Sequence, residues 1–277
     1  NNHNNGGCGR RGRDFGMQFV LYFLVCLIAT TVGAISGVGG GVVIKPVFDA
    51  VAGMSVSQVS FLSGCTVLAM TIVSLLRSRG EKIELKRGTL LAVGGAVGGL
   101  LGKVVFDWVK SLTGNDGLVG VVQSVIMILL TAGVGVYMAF REKIRTKNVQ
   151  NAALCVIIGL ALGVMSAFLG IGGGPINLVV LYYFFSMDTK QAALHSIYVI
   201  FFSQAASFVS SLAMQNVPAF DPVTLVVMVV GGVAGGFLGR AFNKKMSVRQ
   251  VDMLFSILLA VITLISVYNL VHYASLL

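Results

Sequence analysis

Two glycine-rich stretches carry the residues best placed to do chemistry: Ser36-Gly37-Val38-Gly39-Gly40-Gly41, and Leu169-Gly170-Ile171-Gly172-Gly173-Gly174 followed at once by Pro175. Each glycine disfavours a helix by about 1 kcal/mol relative to Ala, so a helix is expected to stop at either stretch. A short helix restarting at Val42 or Pro175 would begin with unpaired amides at its positive dipole end, and proline suits a first helical position. Glycines let a guest approach such amides closely, which is the chemistry of anion binding. The candidate ligands are therefore Gly37, Gly39, Gly40 and Gly41 in one copy, and Gly170, Gly172, Gly173, Gly174 and Pro175 in the other. The competing reading is that these glycines only let helices kink or pack.

Polar residues follow each stretch at matching distances. Gln58, Ser63 and Thr66 lie in the apolar run after the first, and Gln191, His195 and Ser196 in the run after the second. Gln191, His195 and Tyr198 are spaced four and three apart, so they share a helix face, which is expected to look inward. Gln58, Gln191 and Ser196 are candidate binding residues. His195 is a candidate for proton coupling because imidazole changes charge near neutral pH, and a neutral histidine bonded between helices is the alternative. Asn177 would offer an amide to a bound anion or cap local backbone. Lys45 would draw anions or snorkel to an interface. Glycines 94, 95, 98, 99 and 102, like 231, 232, 235, 236 and 239, leave one helix face nearly bare, a pattern expected for close packing. Lys103 and Arg240, each one residue beyond such a stripe, would attract anions at a mouth or anchor to headgroups.

The elements that must hold these residues are membrane helices. Of 277 residues, 56% are hydrophobic and 11% charged, less than half the charge share of a soluble domain. Charges crowd between long apolar runs, and no ten-residue alternation points to a β-barrel. The net charge of +10 sits in short loops, where it reads as a topology signal rather than a nucleic-acid surface. Cys8, Cys26, Cys65 and Cys155 form no CxxC pair and imply neither zinc nor disulfides. The glycine stretches lack the Gly-Lys-Ser/Thr ending of a P-loop and the last glycine of a dinucleotide fingerprint, and no cofactor is implied. No GxSxG, HExxH or paired intramembrane Asp supplies an enzyme's nucleophile or metal site.

Read in order, the chain opens with a polar tail over 1–14, expected to be disordered. Apolar runs of spanning length follow at about 16–35, 56–76, 88–109 and 118–140. The piece 42–54 is too short to span and reads as a half-helix. A cytoplasmic basic linker over 141–150 leads to a second set, at 152–169, 175–186 as the short piece, 189–213, 222–242 and 250–273. Gly37, Gly39, Gly40 and Gly41 match Gly170, Gly172, Gly173 and Gly174 at an offset of 133, and Met54, Gln58 and Ser63 match Met187, Gln191 and Ser196 at the same offset. VGGAVGGLLGK from Val93 then matches VGGVAGGFLGR from Val230. The expected fold is an all-α polytopic membrane protein of about eight spans in two four-helix repeats, 15–140 and 151–277. The first helix of each is broken at the glycines and followed by a half-helix.

Four crossings per repeat predict parallel repeats with both termini on one side. Placing the termini in the cytoplasm puts 12 of the 20 Lys and Arg there, with Arg240, Lys244, Lys245 and Arg249 outside. An extra crossing by a broken element would invert the repeats instead. A multi-pass location in the plasma membrane follows, with homo-oligomerisation left open.

The doubled motif, SGVGGGVVIKP and FLGIGGGPINL, resembles the TauE/SafE sulfite exporter family over about residues 17–273. The resemblance implies a secondary transporter of small anions, with sulfite, sulfonates and related organosulfur compounds as the usual substrate class, often moved outward, and no catalytic residues. The halves differ in one respect: Pro46 lies five residues after Gly41, whereas its counterpart is Val179 and the second proline directly follows Gly174. A symmetric two-fold site is not implied. The expectation is a proton- or potential-coupled exporter of a sulfur-containing anion working by alternating access in the lipid bilayer. The alternatives are a passive anion channel, a transporter of a non-sulfur organic anion, and a structural scaffold whose breaks pack dry.

Overall fold

Ten α-helices follow one another in the computed structural model, which describes residues 7–78 and 85–275. They are α1 (Gly7–Ser36), α2 (Gly41–Val51), α3 (Val56–Arg77), α4 (Leu85–Thr113), α5 (Asp116–Phe140), α6 (Ala152–Leu169), α7 (Pro175–Phe185), α8 (Thr189–Ala213), α9 (Pro222–Lys245) and α10 (Val248–Ala274). Eight are long and apolar enough to cross a membrane, while α2 and α7 have 11 residues each. Large apolar side chains such as Leu129, Val226, Ile257 and Leu264 are exposed on the outside of the bundle, where lipid would cover them. Of the polar stretch 1–14, residues 7–14 continue α1, and 1–6 lie outside the described residues.

Side-chain caps satisfy the first amides of most long helices. Ser55 with Gln58, and Ser247 with Gln250, form reciprocal capping boxes at α3 and α10, while Asp188 and Asp221 cap α8 and α9. The two breaks stop their helices differently, through backbone rather than side chains. Gly37 and Gly39 take φ of 80° and 87°, and Gly170, Gly172 and Gly173 take 64°, 63° and 122°, a region that side-chain-bearing residues rarely enter.

Contacts at the two ends of the bundle fix the direction of every helix. At one end Arg141 pairs with Asp252 at 3.1 Å, and the Thr189 hydroxyl donates to Asp252 at 2.7 Å. The amides of Lys147 and Val149 donate to the carbonyls of Tyr183 and Phe184, which places the end of α7 beside the linker that leads into α6. Arg240 and Lys244 reach Ser78 and the Arg77 carbonyl at the same end. At the opposite end Lys110 donates to Ser57, Gln58 donates to the Ala219 carbonyl, and the rings of Tyr22 and Phe48 lie 4.7 Å apart. Helices α1 and α2 are thus a hairpin that enters and leaves by this second end, and α6 and α7 are a hairpin on the first.

This corrects the parallel arrangement expected from four crossings per half. Each hairpin returns to its own side, so each half runs three helices the full length of the bundle and the two halves are inverted. Both chain ends lie together, at the end away from the basic loops rather than with them. Among the described residues, 12 of the 18 Lys and Arg, now including Arg240, Lys244, Lys245 and Arg249, fall at the first end.

The glycine stripes lock the halves together crosswise. Cβ atoms on Gly94, Gly98 and Gly102 of α4 would strike the carbonyls of Val156, Leu160 and Val164 on α6. Gly231, Gly235 and Gly239 of α9 meet Phe23, Leu27 and Thr31 of α1, each 133 residues before the α6 partner. On the neighbouring face, Gly95 and Gly99 meet Val199 and Ser203 of α8, and Gly232 and Gly236 meet Thr66 and Met70 of α3. Backbones in such contact gain dispersion and Cα–H···O attraction, the main sources of helix association where no water is displaced.

Candidate functional site

The two breaks, far apart in sequence, meet at the centre of the molecule. A Cβ on Gly39 would sit 2.9 Å from the Gly172 carbonyl oxygen, one on Gly173 would sit 3.1 Å from that of Val38, and one on Gly41 would overlap that of Ile171. Gly37 packs on Ala193 and, 133 residues further on, Gly170 packs on Ser60; Gly39 touches Ile200 and Gly172 touches Val67, again 133 apart. Gly40 is pressed against Thr30 of its own hairpin. All residues from 33 to 42 and from 166 to 175 are buried. In this conformation the breaks form a tightly packed crossing rather than an open nest of amides.

The other candidate residues scatter around that crossing. Ser196 and its counterpart Ser63 are fully buried, each with a hydroxyl lacking a hydrogen-bond partner, and Ser63 Oγ lies 2.9 Å from where Gly41 would carry a Cβ. Asn177, in the first turn of α7, is buried with Oδ1 unpaired. Gln58 and Gln191 lie away from the crossing, at opposite ends of the bundle. Gln58 accepts from the Ser55 amide, and Gln191 is exposed with its amide held by Asp188. Gln191, His195 and Tyr198 still share a helix face by spacing, but that face is not buried along its length, because Gln191 in the first turn of α8 lies at the bundle end beyond the packed core. His195 is buried, with Nδ1 2.9 Å from the Gln191 carbonyl one turn earlier. Lys45 does not snorkel: it is 3% exposed and paired with Asp49.

Beside the crossing, α3, α4, α6 and α8 border a cavity of about 40 Å³ that reaches toward the second end. Ser57, Ser60, Ser207, Ser211, Gln204 and Lys103 line it, and Gly170 of the second break forms part of its wall. Lys103 Nζ is held 3.0 Å from Asp107 and 5.0 Å from the centre of the Phe106 ring, and Ser60 Oγ has no partner. Hydroxyls and an ammonium are donors, so the lining suits an anion. The serines were legible as Ser203, Ser207 and Ser211, four apart on one α-helical face, but a run of small hydroxyls in a membrane helix is common enough to pass unremarked.

The equivalent place at the first end is filled. Arg240 stands 137 residues after Lys103, and Ser78 stands 133 before Ser211. Arg240 is 1% exposed; its Nε donates to Ser78 Oγ at 2.5 Å and its Nη1 to Asn243 Oδ1 at 3.0 Å, while Asn243 donates to the Ile35 carbonyl. One end thus presents a polar cavity and the other a hydrogen-bonded plug.

An all-helical bundle of inverted halves, with broken helices crossing at its centre beside a polar cavity, defines a polytopic membrane transporter. The family profile described as Sulfite exporter TauE/SafE matches residues 22–265, and the chain belongs to that family. Among its relatives is "Probable membrane transporter protein YunE" of Bacillus subtilis (strain 168), 26% identical over 265 residues covering 89% of this chain and 96% of that protein. "Probable membrane transporter protein MamO" of Paramagnetospirillum magneticum is 29% identical over 122 residues, 42% of this chain and 19% of the longer protein. No solved structure matches the chain.

Proposed function

We propose that this membrane transporter exports a small sulfur-containing anion, such as sulfite or a short sulfonate, by alternating access. The observation that carries the reading is the unequal state of two equivalent places, an open one around Lys103 and Ser211 and a closed one around Arg240 and Ser78. Inverted halves exchange such states when one half rocks against the other, so the closed place would open as the open one fills. The glycine crossing is the fulcrum, and Gly170 is where it reaches the cavity. The remaining glycines, with Asn177 and Ser196, become accessible to substrate amid that movement.

The positive-inside rule places the basic end in the cytoplasm, so both chain ends and the cavity mouth face outward. In that orientation the cavity is the release side for an exported anion. Its serines and Lys103 offer the donors that a sulfite or sulfonate oxygen accepts.

The test is flux in proteoliposomes containing the purified protein, with sulfite, thiosulfate and short sulfonates offered under an imposed pH gradient. Accumulation of one of these against its gradient, weakened in Lys103→Gln, is the expected result. Equilibration without accumulation would mean a passive anion channel, and no movement of any sulfur anion would overturn the substrate class.

A further inference from the structure

Helices α2, α5 and α10 surround a second, much smaller polar chamber, of about 10 Å³, room for one water-sized guest, bordered by Leu169 and Ile171 at the crossing. Lys45 and Asp49 pair across one turn of α2 within it, with side chains 4% and 7% exposed. Asn269 Nδ2 donates to the Pro46 carbonyl at 2.8 Å, and Gln123 Nε2 donates to the Phe168 carbonyl at 2.7 Å. Only the NH₂ group of an amide can donate to a carbonyl, so these bonds fix both orientations and commit the two amide oxygens to the other side. Gln123 Oε1 and Asn269 Oδ1, together with Asp49 Oδ1 and Ser266 Oγ, have no hydrogen-bond partner, although Gln123, Ser266 and Asn269 are 3%, 2% and 2% exposed.

The fold does not require this polarity. Helices α2 and α7 correspond at an offset of 133, and α5 and α10, opened by Asp116 and Val248, at 132. The residues equivalent to Lys45, Asp49, Gln123 and Ser266 are Leu178, Tyr182, Phe255 and Val134, all members of one buried hydrophobic cluster. Asn269 corresponds to Tyr137, packed against the same cluster, in which the Tyr182 hydroxyl is the one unpaired polar atom among these counterparts. At the second end, residues of both halves instead leave four unpaired oxygens beside an ion pair, a costly arrangement unless something binds there. An anion would meet carboxylate and amide oxygens, whereas a hard cation is held by such a set.

We propose that this chamber is a coupling-ion site that binds one small hard cation, sodium or hydronium, through the oxygens of Asp49, Gln123, Ser266 and Asn269. Lys45 is the tethered competitor that holds the carboxylate when the ion has left. The titratable or charged groups facing the site are Lys45 and Asp49 on α2 and Tyr273 on α10, which bonds the Asp49 carboxylate; Gln123 and Ser124 from α5 are neutral. The role in coupling rests on the transport reading, but the binding does not.

The experiment is thermal unfolding of the purified full-length protein, without any sulfur anion, titrated with sodium chloride against choline chloride at equal ionic strength and at several pH values. Sodium binding appears as a sodium-specific rise in Tm, lost in Asp49→Asn and Asn269→Leu and reached at lower sodium in Lys45→Met. Hydronium binding appears instead as a rise in Tm on acidification, indifferent to sodium and lost in Asp49→Asn. If Asp49→Asn and Gln123→Leu fold and respond to sodium and pH as the parent does, the chamber is only a structural polar cluster and the proposal is overturned. An ion response in a protein that moves no sulfur anion would leave the site standing and remove the substrate assignment alone.

Discussion

Lys103 and Arg240 occupy equivalent places in two inverted halves, yet Lys103 borders an open cavity while Arg240 is sealed in a network with Ser78 and Asn243. The longer, planar guanidinium reaches two acceptors that an ammonium would not hold together. A difference of one side-chain type thus coincides with the difference between an open and a closed end.

Arg240→Ala should loosen the closed end. Loss of the guanidinium leaves Ser78 and Asn243 short of a bonding partner, at a cost of about 1–3 kcal/mol. A membrane-impermeant thiol reagent should label an added Ser78→Cys faster in the Arg240→Ala background, from the basic side only. Equal labelling rates would remove Arg240 as the plug.

Filling the crossing should stop movement before it stops insertion. Gly39 has φ of 87° and lies against Gly172, so Gly39→Leu carries both backbone strain and overpacking of about 1–3 kcal/mol. Flux should fall steeply in membranes that still contain the protein, with Gly39→Ala intermediate. Undiminished flux in a well-inserted Gly39→Leu variant would sink the fulcrum assignment.

The stripes predict a position-dependent penalty. A side chain at Gly98 would strike the Leu160 carbonyl across the α4 and α6 contact, whereas Gly133 on α5 has open space around it. Gly98→Leu should lower the detergent-solubilised Tm by several degrees and Gly133→Leu should not, as read by fluorescence-detected unfolding.

Stability should carry a pH signature from the start of α9. The Thr224 hydroxyl, the Thr224 amide and the Val223 amide donate to Asp221, holding its carboxyl below the usual carboxylate range. A depressed folded-state pKa means the cap's contribution is fully present above the ordinary carboxylate pKa and is lost as pH falls through the depressed value. The Tm difference between the parent and Asp221→Ala should therefore be largest at neutral pH and shrink on acidification. A difference that stayed constant down to strongly acidic pH would show that the carboxylate's charge is irrelevant to the cap.

Run length and composition alone determined that this is a polytopic helical membrane protein, because backbone in lipid must be satisfied within helices of spanning length. The glycine offset of 133 likewise named the residues expected to be equivalent, and contacts to Phe23 and Val156, and to Val67 and Ile200, recur at that spacing. Direction was different. An 11-residue helix after a glycine break reads the same whether it goes on or turns back, and only the contacts of Phe48 with Tyr22, and of Phe184 with Val149, decided that both turn back. That decision inverted the halves and moved Arg240, Lys244 and Lys245 to the basic end. The tertiary structure also separated Gln58 and Gln191 from the glycines, since three-dimensional depth along a helix is not visible in residue spacing. It gathered Lys45, Asp49, Gln123, Ser266 and Asn269 from three helices into one chamber, because burial and hydrogen-bond pairing depend on neighbours distant in sequence.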